Sequence, residues 1–557
     1  MSRRLATGLL CFGVLVAVCT SSGHLRQEVI VDSAKGGGNR IPLKELIRGA
    51  CEDVPHDALL RTWRGMRLDR SGDIQIIPFE PDFVNGGLTH ATPFDHTQEV
   101  PLLLYGPGVR PGVYDEPVTL ADLAPTLGAV LEFPFETADG HAQTQALLPE
   151  DQRDPPRLLV TLIWDSGGNN VLQRWPDSWP TLQAMARDGA WFTNAQVGAS
   201  PSNTPTGHAT IGTGTFPNRN GFVDEYIRVN GVLQKPNENG PGFLLEPSLA
   251  DLYDRAMGNE PKVAAIATLA AHIMMMGHGS QWGGGDQDIA VTREKESGPT
   301  AGAEAVSWNL TSDMKPFYRL PDYVNQLPPV TDYLDQLDRA DGALDGRWRD
   351  HEFAQYSSGF DTPARTPFQQ RLVEEVIVRE GFGVDEVPDL LFVNYKAIDT
   401  IGHLFSADGI EMSDAVGTQD DALERFVGFL DETVGQGEWV LAVTADHGTQ
   451  NDPGVSGAFE IDIAKLEQGL VAQFDDDGED ARLVEKVRPT EIWLDRDELH
   501  DNELRLADVA GWLSQLTQSE VLKPGRTPSD PQAPVFAASL PSRILSQLPC
   551  LPEASAG

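Results

Sequence analysis

Short apolar runs that end in small or acidic residues recur along this chain. Val100 to Tyr105 runs into Gly106-Pro107-Gly108, and Leu158 to Ile163 runs into Asp165-Ser166-Gly167-Gly168. Leu391 to Tyr395 and Trp439 to Thr444 have the same form, and Asp73 to Pro78 reads as a further strand. Runs of this length between turn residues fit strands buried on both faces. Helical patterns lie among them at Ala121 to Leu131, Trp179 to Asp188 and Ser413 to Val434. In the last, Leu423, Phe426, Val427 and Leu430 share one side, although Gly417 and Gly428 weaken it. Strands alternating with helices predict an α/β fold, a mostly parallel central sheet flanked by helices. Residues 227–385, rich in Gly, Pro and Asp, read as a cap inserted over that core, and a smaller insertion follows residue 455.

The chemistry gathers where strands end. Asp446-His447-Gly448 follows one apolar run, and Asp399-Thr400-Ile401-Gly402-His403 follows another. In open α/β sheets, ligands bind beyond the strands' carboxyl ends. A carboxylate oxygen and an imidazole nitrogen offered together suit a divalent transition metal, zinc above all. Two such pairs imply two metals side by side, an arrangement that drives displacement at phosphorus. A third segment, from Ser200-Pro201-Ser202-Asn203-Thr204-Pro205 through Gly207-His208, puts hydroxyl residues in a tight turn ahead of a helix. Backbone N–H groups there could meet an oxyanion. On its own, this segment fits an ordinary Ser/Thr-rich helix cap as well.

Taken in order, Asp165, Thr204, Asp399 with His403, and Asp446 with His447 resemble the alkaline phosphatase superfamily. The likeness is strongest to its branch of nucleotide pyrophosphatase/phosphodiesterases and threonine-dependent alkaline phosphatases. That resemblance implies a phosphoric ester hydrolase with two zinc ions and Thr204 as nucleophile between them. It assigns Asp165, Asp446 and His447 to metal, and likewise Asp399 and His403. The branch often shows Thr-x-Pro-x-His. Here Thr204 and His208 keep the spacing, but the proline is Pro205, one place early.

The family needs one more histidine, in a Thr-His-Gly segment far downstream of Asp-His-Gly. Only His500 follows His447, in polar helical surroundings that read as solvated surface. The likeness to that downstream segment lies instead at the front of the chain. It runs through Arg70 to Ile76, Leu88-Thr89-His90-Ala91, Val100-Pro101-Leu102 and Ala121 to Leu127. By this resemblance the chain is circularly permuted and His90 is the third ligand beside Asp399 and His403. The permutation in turn places Cys51 and Cys550 on either side of the cut, where a disulfide would clamp the new ends.

Two departures bear on the substrate. Where many relatives carry an Asn that touches a phosphoryl oxygen, this chain has Glu225, with Asn203 or Asn220 as substitutes. Asn203 and Glu225 are therefore the expected substrate-binding residues, and Glu225 could alternatively hold a third metal. The monoesterase branch carries a Lys-x-Arg pair in its insertion, but Ala267 to Met274 has neither cation. Since such cations neutralise a dianion, the expectation moves toward phosphodiesters or nucleotide pyrophosphates. A phosphate monoesterase, a phosphonate hydrolase and a metal-binding surface protein without catalysis are the alternatives.

Composition adds address and partners. A formal charge of -41 disfavours nucleic acid and anionic lipid, leaving a small-molecule phosphate ester as the expected partner. Met1-Ser2-Arg3-Arg4, the apolar stretch Leu5 to Cys19 and Thr20-Ser21-Ser22-Gly23 read as a secretory signal over residues 1–22. No later stretch is apolar enough to span a bilayer. Val16-Ala17-Val18-Cys19 resembles a lipoprotein processing box, with Val18 out of pattern. Export to the periplasm, the medium or a lipid-anchored surface is expected. The resulting division is 23–150 as the permuted core segment, 151–226 with the nucleophile, 227–385 as the cap, 386–455 with metal-binding residues, and 456–557 as insertion plus closing core segment.

Overall fold

The apolar runs assemble into one nine-stranded sheet. In chain order its strands are β1 (Leu102–Tyr105), β2 (Gly112–Tyr114), β3 (Leu158–Trp164), β4 (Ala190–Phe192), β5 (Val263–Ile266), β6 (Asp288–Val291), β7 (Tyr318–Arg319), β8 (Asp389–Tyr395) and β9 (Trp439–Thr444). Across the sheet they lie in the order β7-β6-β5-β8-β3-β9-β1-β4-β2. Only β1 runs against the rest. The computed structural model describes residues 41–555, apart from 86, 237–239, 294–306, 357–359, 475–481, 524 and 529. The expected signal at 1–22, with Cys11 and Cys19, lies outside the described residues.

Alternation explains why the central runs are apolar throughout. Along β3, Leu158, Val160, Leu162 and Trp164 enter one core layer, while Leu159 and Ile163 enter the opposite one. The first layer is covered by the helices Arg365–Glu380 and Ile410–Leu430, which contribute Leu372, Val376, Leu423 and Phe426. The second is covered by the helix Leu123–Val130. The expected helix over Ser413 to Val434 starts slightly earlier and gives way to a wider turn at Asp431–Gly435.

The stretch 227–385, expected as a cap over the core, needs correction, because β5, β6 and β7 lie inside it and extend the central sheet. These strands have four, four and two residues. Such lengths are too short for a periodicity to separate from the surrounding Gly, Pro and Asp.

The leading segment is woven into the rest. β1 pairs antiparallel with β9, Leu102 opposite Thr444 and Tyr105 opposite Leu441. In a second, four-stranded antiparallel sheet, Ile74–Pro78 lies between Glu491–Leu494 and Phe536–Pro541. Cys51, on the helix Leu43–Asp53, is bonded to Cys550, with Cα atoms 5.7 Å apart. Among the described residues, no helix is long and apolar enough to cross a membrane. Replacing both cysteines with serine is expected to lower stability by about 2–5 kcal/mol. A denaturation midpoint unchanged by that replacement would show that the bond does not tie the ends.

Candidate active site

The carboxyl ends of β3, β8 and β9 deliver the acidic residues to one place. Asp165 follows β3 directly, and Asp446 and His447 follow β9 by two and three residues. After β8 the chain turns into the helix α1 (Ala397–Phe405), which carries Asp399 in its first turn and His403 in its last, four residues apart on one face. His90 arrives from the leading segment. Asp165, Asp446 and His447 have ligand atoms within 4.8 Å of one another, as do His90, Asp399 and His403. The two sets abut through the stacked rings of His90 and His447, 3.7 Å between centroids, while His90 and His403 lie 5.2 Å apart.

The hydrogen bonds decide what these histidines offer. In each, Nδ1 meets a backbone carbonyl: His90 with Ser202 at 2.7 Å, His403 with Leu88 at 2.7 Å, His447 with Gly448 at 3.0 Å. A carbonyl only accepts, so each Nδ1 donates, and Nε2 is the nitrogen that the neutral ring offers to a metal. Those nitrogens face carboxylate oxygens: His90 and His403 Nε2 lie 3.4 and 3.5 Å from Asp399 Oδ1, and His447 Nε2 lies 3.2 Å from Asp446 Oδ2. Both oxygens are buried and accept no hydrogen bond. Electron pairs converging from acids and imidazoles fit a cation between them, and the mixed O/N donor set is that of a zinc-type ion.

Lys396, at the end of β8, stands in no motif and no periodic pattern of the sequence. Its Nζ lies 2.8 Å from Asp165 Oδ1, 2.9 Å from Asp399 Oδ2 and 3.0 Å from Thr204 Oγ1. Burial favours its neutral form, but the charges of Asp165 and Asp399 prevail and hold its pKa above the ordinary lysine value. Burial likewise acts to raise Asp165, and Lys396 overcomes it, keeping the carboxylate well below the usual range. Lys396 is thus a permanent cation joining the two sets.

Thr204 opens the helix α2 (Thr204–Thr213), with Asn203 as its cap. Asn203 Oδ1 accepts from Thr206 N at 3.3 Å, and its Nδ2 donates to Asp224 Oδ1 at 2.7 Å, so both ends of its amide are engaged. Thr204 Oγ1 lies 3.5 Å from His447 Nε2. His208, one turn on, donates from Nδ1 to the Thr204 carbonyl at 2.9 Å and accepts at Nε2 from Asn394, which also donates to Asp165. Gly207 lets the helix approach this closely: a Cβ there would stand 2.6 Å from the carbonyl oxygen of Asp446. His272 meets the site from behind. It accepts from Leu269 N, so its Nε2 proton faces Asp165 Oδ2 at 3.1 Å, and burial pushes its pKa down to about 4 despite that neighbour.

A cavity of about 320 Å³ opens above, lined by His90, Thr204, Glu225, Lys396, Asp399 and Arg488 among others. The carboxylate of Glu225 lies 2.8 Å from Arg488, which also grips Asp224. The charge that Glu225 would present to a phosphate is therefore matched by a cation that no sequence motif marks. His500 is exposed on the helix Arg496–Asp501.

A mostly parallel sheet with two acid–histidine sets beside a hydroxyl at its carboxyl edge is an arrangement of the alkaline phosphatase superfamily, and the chain is a phosphoric ester hydrolase. It belongs to the type I phosphodiesterase / nucleotide pyrophosphatase family, whose pattern matches residues 159–535. A protein named calcium-transporting ATPase from Myroides odoratus is 24% identical over 416 residues, 65% of this chain and 74% of that protein. Alkaline phosphatase PafA from Elizabethkingia meningoseptica is 24% identical over 405 residues, 64% of this chain and 72% of that one. The crystal structure of wild-type PafA aligns over 69% of this chain and 84% of its own, with a TM-score of 0.49 and 17% identity.

Lys396→Met should leave the buried carboxylates uncompensated. In protein stripped of metal it is expected to lower stability by about 3–5 kcal/mol, with a smaller deficit once metal is restored. Equal deficits in both states, seen in denaturant titrations, would mean that Lys396 and metal do not share the task.

Proposed function

We propose that this chain is an exported, zinc-dependent hydrolase of phosphodiesters or nucleotide pyrophosphates that works through a threonine nucleophile. Asp165, Asp446 and His447 would hold one zinc, and His90, Asp399 and His403 the other. The observation that carries this reading is the two acid–histidine sets, each with a buried carboxylate oxygen free of hydrogen bonds, beside the Thr204 hydroxyl. Bound zinc would supply Lewis-acid charge to the phosphoryl and leaving oxygens and favour ionisation of a nearby hydroxyl.

The chain's own groups do the positioning. Lys396 donates to Thr204 Oγ1 and holds it at the mouth of α2, where backbone N–H groups favour an anion. Thr204 Oγ1, its proton given up to solvent, then forms a bond to phosphorus as the bond to the leaving oxygen breaks and that oxygen takes a proton from water; a second water displaces the phosphoryl group from threonine and returns the proton to Oγ1. His208 and Asn394 keep the turn and Asp165 in register.

Charge favours a monoanionic substrate. Lys396 and Arg488, which line the cavity, are already paired with carboxylates and leave little to balance a dianion. Phosphate monoester hydrolysis is the second reading, favoured by relatives that carry the name alkaline phosphatase. Export rests on the basic and apolar start of the sequence, and the Cys51–Cys550 bond accords with it. The chain order is read as permuted. Residues 41–158 precede the family match, yet they supply His90, β1 and β2 of the central sheet and the strand Ile74–Pro78 of the second.

Thr204→Ala is expected to reduce turnover of a chromogenic diester by at least about 10³-fold. Chelation should abolish wild-type turnover, and zinc should restore it. Undiminished rates in Thr204→Ala would reject the nucleophile. On substrate choice, kcat/KM in the wild type is expected to be higher for the diester than for the matching monoester, with Arg488→Ala weakening both. A clear monoester preference would move the assignment to the second reading.

A further inference from the structure

Away from the active site, three carboxylates share one spot, and none of them forms an ion pair among the described residues. Asp286 and Asp288 stand at the entry to β6, two residues apart. Asp254 reaches the same place from a different element, the helix Leu249–Ala256, and ligand atoms from all three lie within 4.8 Å of one another. Because β6 runs parallel to β5 and its neighbours, its N-terminal end lies on the sheet edge opposite the carboxyl ends that carry Asp165, Asp399 and Asp446. The cluster therefore belongs to no part of the ester-cleaving centre.

The state of Asp254 is the telling observation. Its side chain is 4% exposed, and its buried Oδ1 has no hydrogen-bond partner. A buried carboxylate without a donor is costly, and two further acids beside it make it more so. Of the other charges that act on the cluster, Arg319 pairs with Glu380 at 2.7 Å, and Asp251, one turn back on the helix, pairs with His278 at 2.7 Å. A second orphaned oxygen lies on the bridge between the two segments. Asn259 donates from its backbone to the Asp254 carbonyl and from Nδ2 to the Gly284 carbonyl, while its buried Oδ1 has no partner. Burial, joined by mutual repulsion, pushes Asp254 up to about 7.

We propose that Asp254, Asp286 and Asp288 form a calcium site that ties the helix Leu249–Ala256 to the start of β6. The donors are hard oxygens without imidazole or thiolate, the set that calcium takes and zinc does not prefer. Its role is structural: the ion replaces three-way repulsion with a cross-link between a helix and a sheet strand. The site is independent of the zinc assignment.

The test uses the full chain saturated with zinc, dialysed against radioactive calcium, with thermal unfolding followed in parallel. Wild-type protein is expected to retain one tightly held calcium per chain and to melt at higher temperature with calcium than without. Asp286→Asn, a change at the exposed rim, should weaken that binding at least tenfold. Asp254→Asn with Asp288→Asn should remove it, with zinc content and ester hydrolysis retained. Asparagine keeps the shape and relieves repulsion; should the double variant still fail to fold, Asp286→Asn alone decides. Calcium uptake equal in wild type and Asp286→Asn would mark it as diffuse binding to an acidic surface and overturn the proposal. So would a wild type that takes up none.

Discussion

Three carboxylates buried at one edge of a parallel sheet are the constraint around which the molecule is organised. Asp165 and Asp446 are fully buried and Asp399 nearly so. Charges taken out of water cost several kcal/mol each unless matched, so nothing else at this edge is free to vary independently. Lys396 answers part of that charge, and the converging Nε2 lone pairs leave a place for cations to answer the rest. The backbone carbonyls of Ser202, Leu88 and Gly448 fix which imidazole nitrogen carries the proton. If this is the catalytic centre proposed above, its geometry and its electrostatic stability are the same requirement.

That requirement reaches across the whole chain. His90 and β1 come from the leading segment, Thr204 and Asp165 from the middle, Asp446 and His447 from beyond β9. The second sheet binds the front of the chain to its tail through Ile74–Pro78, and the Cys51–Cys550 bond fastens the same two regions. A site assembled from such distant segments depends on their mutual docking. Its rigidity comes from the β1–β9 pairing and the packing behind Asp165, where Asn394, His208 and His272 meet.

The acidic surface and the local cations act at different ranges. A formal charge of -41 repels anions from afar, but screening confines that effect to roughly 8 Å in physiological salt. At the cavity, Arg488 pairs with Glu225 and also with Asp224 behind it, which offsets part of that acidic charge and holds the Glu225 carboxylate in place. On the proposed reading, recognition depends on the two acid–histidine sets and the turn at Thr204 rather than on net charge.

The sequence by itself determined the long central strands, because β3, β8 and β9 are buried on both faces and must be apolar at every position. It also carried the acids and histidines at their ends, where loss of the apolar pattern marks the sheet's edge. Cys51 with Cys550, and the nearness of His90 to His403, were legible only through the family likeness, since nothing local ties residues hundreds of positions apart. Lys396 and Arg488 escaped notice as single residues in no periodic pattern. β5 to β7 escaped it as strands too short to show one. Tertiary structure alone decided these, for a physical reason: local sequence fixes what environment a side chain tolerates, whereas the partner it meets depends on the path of the whole chain.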